Sequence, residues 1–314
     1  MSYKTIEEYF TQFSDDVEEI RVEYISDHLP DLSRFYKLKI LSCFDNDLTC
    51  LPLLPPTLEK LYCDKNQLTC LPPLPSTLKE LSCFNNQLTC LPLLPVTLEI
   101  LSCFNNNLTC LPSFPSTLEE VNCIHNQLTC LPTLLCNLKQ MYCYNNEIGC
   151  LPPLPATLEV LYCYNNKLTS LPLLPDTLKR LYCVNNQLTC LPPLPATLEV
   201  LYCYNNELTS LPLLPSTLKE IYCYNNPEID YYIKKDNMSM SEYIIQLRKQ
   251  INIVNRFREL FYSLKYKKQF QNLLWLHIRE PKIRNRYKPE NLIAMLEGKE
   301  EISLDELDDL LENW

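Results

Sequence analysis

Between Leu38 and Asn226 the apolar positions recur at one fixed spacing. Leu38, Leu58, Leu78, Leu98, Leu118, Leu138, Leu158, Leu178, Leu198 and Leu218 each open the same 20-residue phrase, L-x-x-L-x-C-x-x-N-x-L-T-C-L-P-x-L-P-x-x. The copy from Leu78 to Thr97 reads LKELSCFNNQLTCLPLLPVT. Self-similarity at such a period marks a stacked repeat architecture. Within each phrase, L-x-x-L-x-C predicts a short strand with alternating side chains. Leu81 and Cys83 then face inward, while Ser82 and Phe84 face outward. One such strand cannot bury itself. In-register copies form a parallel sheet with strands about 4.8 Å apart, each covering its neighbour's apolar edge. The L-P-x-L-P return is too rich in proline for a helix and predicts extended, polyproline-like chain on the convex side.

One polar position is as regular as the leucines. Asn46, Asn66, Asn86, Asn106, Asn126, Asn146, Asn166, Asn186, Asn206 and Asn226 occupy the same slot in every copy. A turning backbone leaves N–H and C=O groups unpaired, and a buried amide side chain can satisfy both kinds. This column is therefore expected to be a structural ladder. The composition fits a repeated unit, with 25 Pro, 20 Tyr and 18 Cys but only 2 Gly. Asparagine is expected to supply the turns that glycine would otherwise make.

The two ends depart from the pattern. Residues 1–37 predict an N-terminal cap made of a short helix and one degenerate repeat. Thr5 to Glu8 form a capping box, Ile6, Tyr9, Phe10 and Phe13 follow at helical spacing, and Ile20 and Val22 fall in the repeat's Leu and Cys slots. Residues 227–314 predict a C-terminal helical domain. Ser239 to Glu242 form a second capping box. Ile244, Leu247, Ile251, Val254, Phe257, Phe261 and Leu264 form one helical stripe, and a further helical stretch runs to about His277. Pro289 and Gly298 bracket a third helix, and Ser303 opens a last one ending at Trp314. The net charge of −10 hides strong segregation. Residues 234–288 carry fourteen bases and four acids, whereas residues 290–314 carry nine acids and one base.

The 20-residue phrase resembles the leucine-rich repeat of bacterial effector proteins, whose pattern is L-x-x-L-x-V-x-x-N-x-L-x-x-L-P-x-L-P. The likeness covers residues 38–226. It implies a leucine-rich-repeat solenoid, curved and right-handed, with the parallel sheet on its concave face, little helix in the repeats, and an α-helical region after them. Cys replaces Val here, which packs equally well as a small hydrophobe. The tail segment LLWLHIREPKIRNRYKPENLIAMLEG, followed by an acidic stretch ending in Trp, resembles the C-terminal tail of proteins from giant DNA viruses. The Asn, Tyr and Ile bias suits such AT-rich genomes. This resemblance, to mimivirus-type leucine-rich-repeat proteins, implies a location in host cytoplasm or in the virion and carries no chemistry.

The cysteines are the first candidates for chemistry. Ten fill one column from Cys43 to Cys223, seven fill a second (Cys50 through Cys150, then Cys190), and Cys136 stands apart. They are expected to be packed free thiols, with disulfides and zinc as alternatives. In-register neighbours about 4.8 Å apart exceed the roughly 3.8 Å Cβ separation of a disulfide. The C-x6-C spacing lacks the paired C-x2-C of a zinc site. Effectors that share the repeat often carry a C-terminal ubiquitin-ligase domain with a nucleophilic cysteine, but residues 227–314 contain no cysteine, so that activity is not carried over. His28, His125 and His277 are isolated, and Gly149 and Gly298 cannot build a phosphate-binding loop. No enzyme, metal or cofactor is therefore expected. No stretch reaches the 18–20 apolar residues of a membrane span and the start lacks a signal-peptide pattern, so the expectation is an intracellular protein without a membrane partner.

The outward strand positions are the strongest functional lead. One column contains Tyr142, Tyr162, Tyr182, Tyr202 and Tyr222. The other contains Phe84, Phe104, Tyr144, Tyr164, Tyr204 and Tyr224. Asn follows in most copies, as at Asn85, Asn145 and Asn165. Tyrosine offers large contact area at low entropic cost. A protein partner held on this concave Tyr/Phe/Asn face is the expected function, with a structural or virion component and a ligase-like effector as alternatives. Nucleic acid is not the expected partner, because the bases of 234–288 are scattered among apolar residues and an acidic tail follows.

Overall fold

The computed structural model describes residues 6–22, 26–134, 137–227, 229 and 238–274. It opens with a short helix, α1 (Ile6–Phe10), which buries Phe10. Thirteen short strands follow: β1 (Glu19–Arg21), β2 (Ser26–Asp27), β3 (Ile40–Ser42), β4 (Asp47–Leu48), β5 (Lys60–Tyr62), β6 (Glu80–Ser82), β7 (Ile100–Ser102), β8 (Glu120–Asn122), β9 (Gln140–Tyr142), β10 (Val160–Tyr162), β11 (Arg180–Tyr182), β12 (Val200–Tyr202) and β13 (Glu220–Tyr222). A long helix, α2 (Met240–Leu274), ends the described chain.

Eleven strands form one parallel sheet in the order β1-β3-β5-β6-β7-β8-β9-β10-β11-β12-β13, and β2 pairs with β4 beside it. Each strand from β3 onward pairs with the residue 20 positions later, as in Leu161↔Leu181 and Tyr162↔Tyr182. β1 joins with one extra residue, Ile20 opposite Leu41, and the Val22 amide then donates to Ser42 O at 2.8 Å. This is a leucine-rich-repeat solenoid, a parallel-sheet fold with little helix, as the phrase predicts.

Its core is a column stack. Leu58, Leu61, Cys63 and Leu68, and their counterparts in the turns that follow through Leu208, are almost wholly buried, and the first leucine of each L-P return lies just beneath the surface. Ile20 and Val22 continue the columns at one end. The other end is closed by the first turns of α2. Ser239 caps the helix, donating to Glu242 Oε2 at 2.8 Å and accepting from the Glu242 amide at 3.3 Å. Tyr243, Ile244, Leu247 and Ile251 pack into the same core, and the Arg248 guanidinium donates to Pro215 O. The apolar stripe expected on this helix is therefore buried through Ile251, whereas Phe261 and Leu264 are exposed. Met1–Ile251 form one compact unit and Asn252–Trp314 another. The helix bracketed by Pro289 and Gly298, the one opened by Ser303, and Thr5, Cys136 and His277 lie outside the described residues.

Two asparagine columns shape every turn. In the inner one, Asn66 Oδ1 accepts from the Leu48 amide at 3.0 Å, and Nδ2 donates to Cys43 O, Cys63 O and Asp64 O at 2.9, 3.1 and 3.1 Å. The same four contacts recur at Asn86, Asn106, Asn126, Asn146, Asn166, Asn186, Asn206 and Asn226, the last closing on Leu208 and Cys203. Asn46 donates to Val22 O, Cys43 O and Phe44 O. One residue earlier the backbone is left-handed in every turn, with φ between 50° and 58° from Asp45 to Asn225. Asn and Asp tolerate that region best among residues with a side chain, which accounts for a solenoid with almost no glycine. A threonine column completes the lacing. Thr77 Oγ1 donates to Leu58 O at 2.8 Å, and Thr97, Thr117, Thr177, Thr197 and Thr217 repeat the bond to the leucine 19 residues back.

No disulfide joins the cysteines of the described residues, and their two columns differ. Cys43 to Cys223 are buried as expected, but Cys50, Cys70, Cys90, Cys110, Cys130, Cys150 and Cys190 are exposed rather than packed. The chain bends at the preceding residue, a threonine in every case but Gly149 before Cys150, and the inward–outward alternation of the strand does not survive the bend, so Leu51-type residues take the inward place and the thiol faces solvent.

Candidate functional site

The outward strand positions stand side by side because the register is strict. Tyr142, Tyr162, Tyr182, Tyr202 and Tyr222 form one continuous row, with ring centroids 5.2, 4.2, 4.6 and 4.7 Å apart. Tyr162 and Tyr182 are stacked at 8°, while Tyr202 and Tyr222 meet edge to face at 71°. The second row is broken into pairs. Phe84 stacks on Phe104 at 4.2 Å, Tyr144 on Tyr164 at 4.0 Å, and Tyr204 on Tyr224 at 4.5 Å. Ile124 and Val184 interrupt it, both buried. In-register aromatic neighbours at this separation gain quadrupolar and dispersion energy beyond area burial.

Stacking has a consequence for exposure. Most of these rings are half-buried, each sheltered by its neighbours, and Tyr224 at the end of its row is 46% exposed. The rings are thus pre-ordered into a strip with one open face. Tyr142 Oη donates to Gln140 Oε1 and Tyr202 Oη to Glu220 Oε1, both at 2.6 Å. Burial, aided by the Tyr162 hydroxyl, pushes the Tyr182 phenol up to about 12. Burial and the Glu220 carboxylate raise Tyr202 further, and burial with the Tyr144 hydroxyl raises Tyr164. At neutral pH Tyr164, Tyr182 and Tyr202 therefore present uncharged hydroxyls that can both donate and accept.

The flank of the strip is an amide chain. Asn225 Nδ2 donates to Asn205 Oδ1 at 2.7 Å, Asn205 to Asn185, Asn185 to Asn165 and Asn165 to Asn145 at 2.5 Å each, and Asn145 to His125 Nε2 at 2.8 Å. Asn105 donates likewise to Asn85 at 2.7 Å. His125 is thus bonded into the row in place of an asparagine. At the other end of the face Asp64 is buried, which raises its carboxyl; it accepts from Ser82 Oγ at 2.5 Å and from the Phe84 amide at 3.0 Å.

The arrangement offers contact area and hydrogen bonds rather than a reaction centre. Burial pushes the Cys43, Cys123 and Cys183 thiols up to about 12 and raises Cys63, Cys83, Cys103, Cys143, Cys163 and Cys203 as well. Protonated thiols are poor nucleophiles. Among the described residues no three His, Cys, Asp or Glu side chains converge as a metal site. No helix of the described residues is long and apolar enough to cross a membrane. The threonine column and the side-chain bonding of the outer asparagines were missed in the sequence. The Thr before the first leucine of eight of the ten repeats was the available signal.

Comparison with known proteins agrees with the repeat assignment. Residues 156–196 match the leucine-rich-repeat family model, in two copies. Two solved structures of the effector YopM are similar to the chain. The one from Yersinia enterocolitica WA-314 is 34% identical over 68% of this chain and 48% of its own, with a TM-score of 0.65. The leucine-rich effector protein YopM from Yersinia pestis is 39% identical over 67% of this chain and 61% of its own, with a TM-score of 0.62. The chain thus spans only about half to three-fifths of those relatives. The functional domain of InlJ from Listeria monocytogenes, described as including a cysteine ladder, is 25% identical over 68% of this chain and 50% of its own, with a TM-score of 0.57. No curated protein matches the chain.

Proposed function

We propose that this chain is a non-catalytic interaction scaffold that holds a protein partner against the aromatic strip of its concave face, centred on Tyr142 to Tyr224. The observation that carries this reading is the unbroken row of five tyrosines, ordered by stacking and open on one side. Rings fixed before binding lose little conformational freedom on contact, so their burial converts efficiently into affinity. The buried inner thiols favour scaffolding over catalysis, and the likeness to YopM, a leucine-rich effector protein, is compatible with it. A few central rings, Tyr162 and Tyr182 foremost, are the expected hot spots.

The test compares affinity captures by the intact chain and by a Tyr162, Tyr182, Tyr202 and Tyr222→Ala variant with an unchanged circular dichroism spectrum. Partners recovered by the intact chain are lost from the variant if the strip binds them, and identical recoveries refute the reading. A virion component is the second reading, resting on the tail that resembles giant-virus proteins. Finding the chain in purified particles would support it, and finding it only in infected-cell cytoplasm would favour a host-directed scaffold.

A further inference from the structure

Seven exposed thiols on one solenoid are unusual, because cysteine is among the most consistently buried residue types. Six of them, Cys50, Cys70, Cys90, Cys110, Cys130 and Cys150, occupy consecutive turns, and all are exposed and unpaired with one another. Their spacing is fixed just upstream. The amides of Gln67, Gln87, Asn107, Gln127 and Glu147 each donate at 2.9 Å to the leucine carbonyl two residues before the thiol of the preceding turn. The Gly149 amide donates at 3.4 Å to Thr129 O, immediately beside Cys150 and Cys130. Sheet-type bonds of this kind hold neighbouring chains about 4.8 Å apart.

That spacing selects among thiol chemistries. A disulfide needs Cβ atoms about 3.8 Å apart. Tetrahedral zinc, with metal–sulfur bonds of about 2.3 Å, needs four sulfurs about 3.8 Å from one another. Sulfurs in a single file cannot supply four corners, and no three candidate ligands converge among the described residues. A linear S–M–S unit, with bonds no longer than the roughly 2.3 Å of zinc–thiolate, spans up to about 4.6 Å, close to one step of the file. Soft thiolates select monovalent d10 cations such as Cu(I).

We propose that the exposed cysteine file is a binding site for soft two-coordinate cations of the Cu(I) type, each held linearly between thiolates of adjacent turns. Each ion exchanges with two thiol protons, so two S–H bonds break, two S–M bonds form, and two protons leave to solvent without change of oxidation state. Cys190 stands outside the file, because Ser170 and Ser210 occupy the turns on either side of it.

The test titrates reduced full chain with Cu(I) supplied as its bicinchoninate complex under argon. The intact chain is expected to take copper from the chelator, release two protons per ion, and show two sulfurs per copper by X-ray absorption. A variant with Cys50, Cys70, Cys90, Cys110, Cys130 and Cys150→Ser is expected to fold, since serine already fills this slot at Ser170 and Ser210. It should lose the tight sites. A variant with only Cys70, Cys110 and Cys150→Ser keeps three file thiols but sets them about 9.6 Å apart. Losing the second arm should weaken its affinity by at least about a hundredfold. Equal uptake by either variant, or three or four sulfurs per copper, would overturn the proposal.

Discussion

Replacing Asn166 by alanine probes how the solenoid is held together. Asn166 Oδ1 accepts from the Ile148 amide at 3.0 Å, and Nδ2 donates to Cys143 O, Cys163 O and Tyr164 O at 3.0, 3.1 and 3.2 Å. The losses are unequal. Cys143 O still accepts from Asn146 at 3.1 Å, Cys163 O from Asn186 at 3.1 Å, and Tyr164 O from the Asn145 amide at 3.1 Å. The Ile148 amide has only Asn166 among these contacts, and Ile148 is fully buried. One orphaned buried donor costs about 1–3 kcal/mol, and halving the support of three carbonyls raises the expected total to about 2–4 kcal/mol. Urea denaturation followed by circular dichroism measures the change, and amide exchange at Ile148 and its neighbours shows whether the loss is local. A cost below about 0.5 kcal/mol, within the range of ordinary surface substitutions, would refute the view that the inner asparagines carry the turns.

Other outcomes follow from the same geometry. A thiol reagent applied to the native chain should label Cys50, Cys70, Cys90, Cys110, Cys130, Cys150 and Cys190 promptly and reach Cys63 or Cys163 only on unfolding; mass spectrometry of the modified peptides decides this. Asn165→Gly keeps the φ 52° backbone unstrained and loses only the two amide-chain bonds, whereas Asn165→Ala loses the same bonds and should cost about 1–2 kcal/mol more, readable in the same denaturation experiment. Leu247→Ala, at a side chain 1% exposed beneath the last turn, should cost about 2–5 kcal/mol and expose the β13 end to proteolysis. The Tyr182 phenol titrates near 12 in the folded chain and about 10 when unfolded. The stability tied to it is therefore complete below pH 10 and lost as pH rises through 12. Phenolate absorbance should accordingly lag in the folded protein and rise together with alkaline unfolding.

Much of this architecture is written in the sequence because the period is short and strict. A 20-residue phrase fixes strand, register and inward face together, so one correct copy places Leu81 and Cys83 in all of them. Features that depend on where the chain bends were not legible. The second cysteine column follows the same apolar-looking phrase, yet the bend at the preceding residue turns it outward. The breaks in the second aromatic row at Ile124 and Val184 are visible in the sequence, but not that these two side chains are buried while Tyr144 and Tyr164 remain half-exposed. Helical periodicity alone gave the stripe from Ile244 to Leu264. It could not show that Ile251 is buried while Phe261 and Leu264 are exposed.

Hydroxyl-radical footprinting of the chain alone and in complex with a captured partner tests the aromatic strip most directly. Protection of Tyr162, Tyr182, Tyr202 and Tyr222 on binding is the expected result. The L-P return segments also carry exposed leucines, Leu53, Leu93, Leu173 and Leu213, each at least 62% exposed. Protection of those leucines with the tyrosines unchanged would place the partner on the return segments and contradict the proposal.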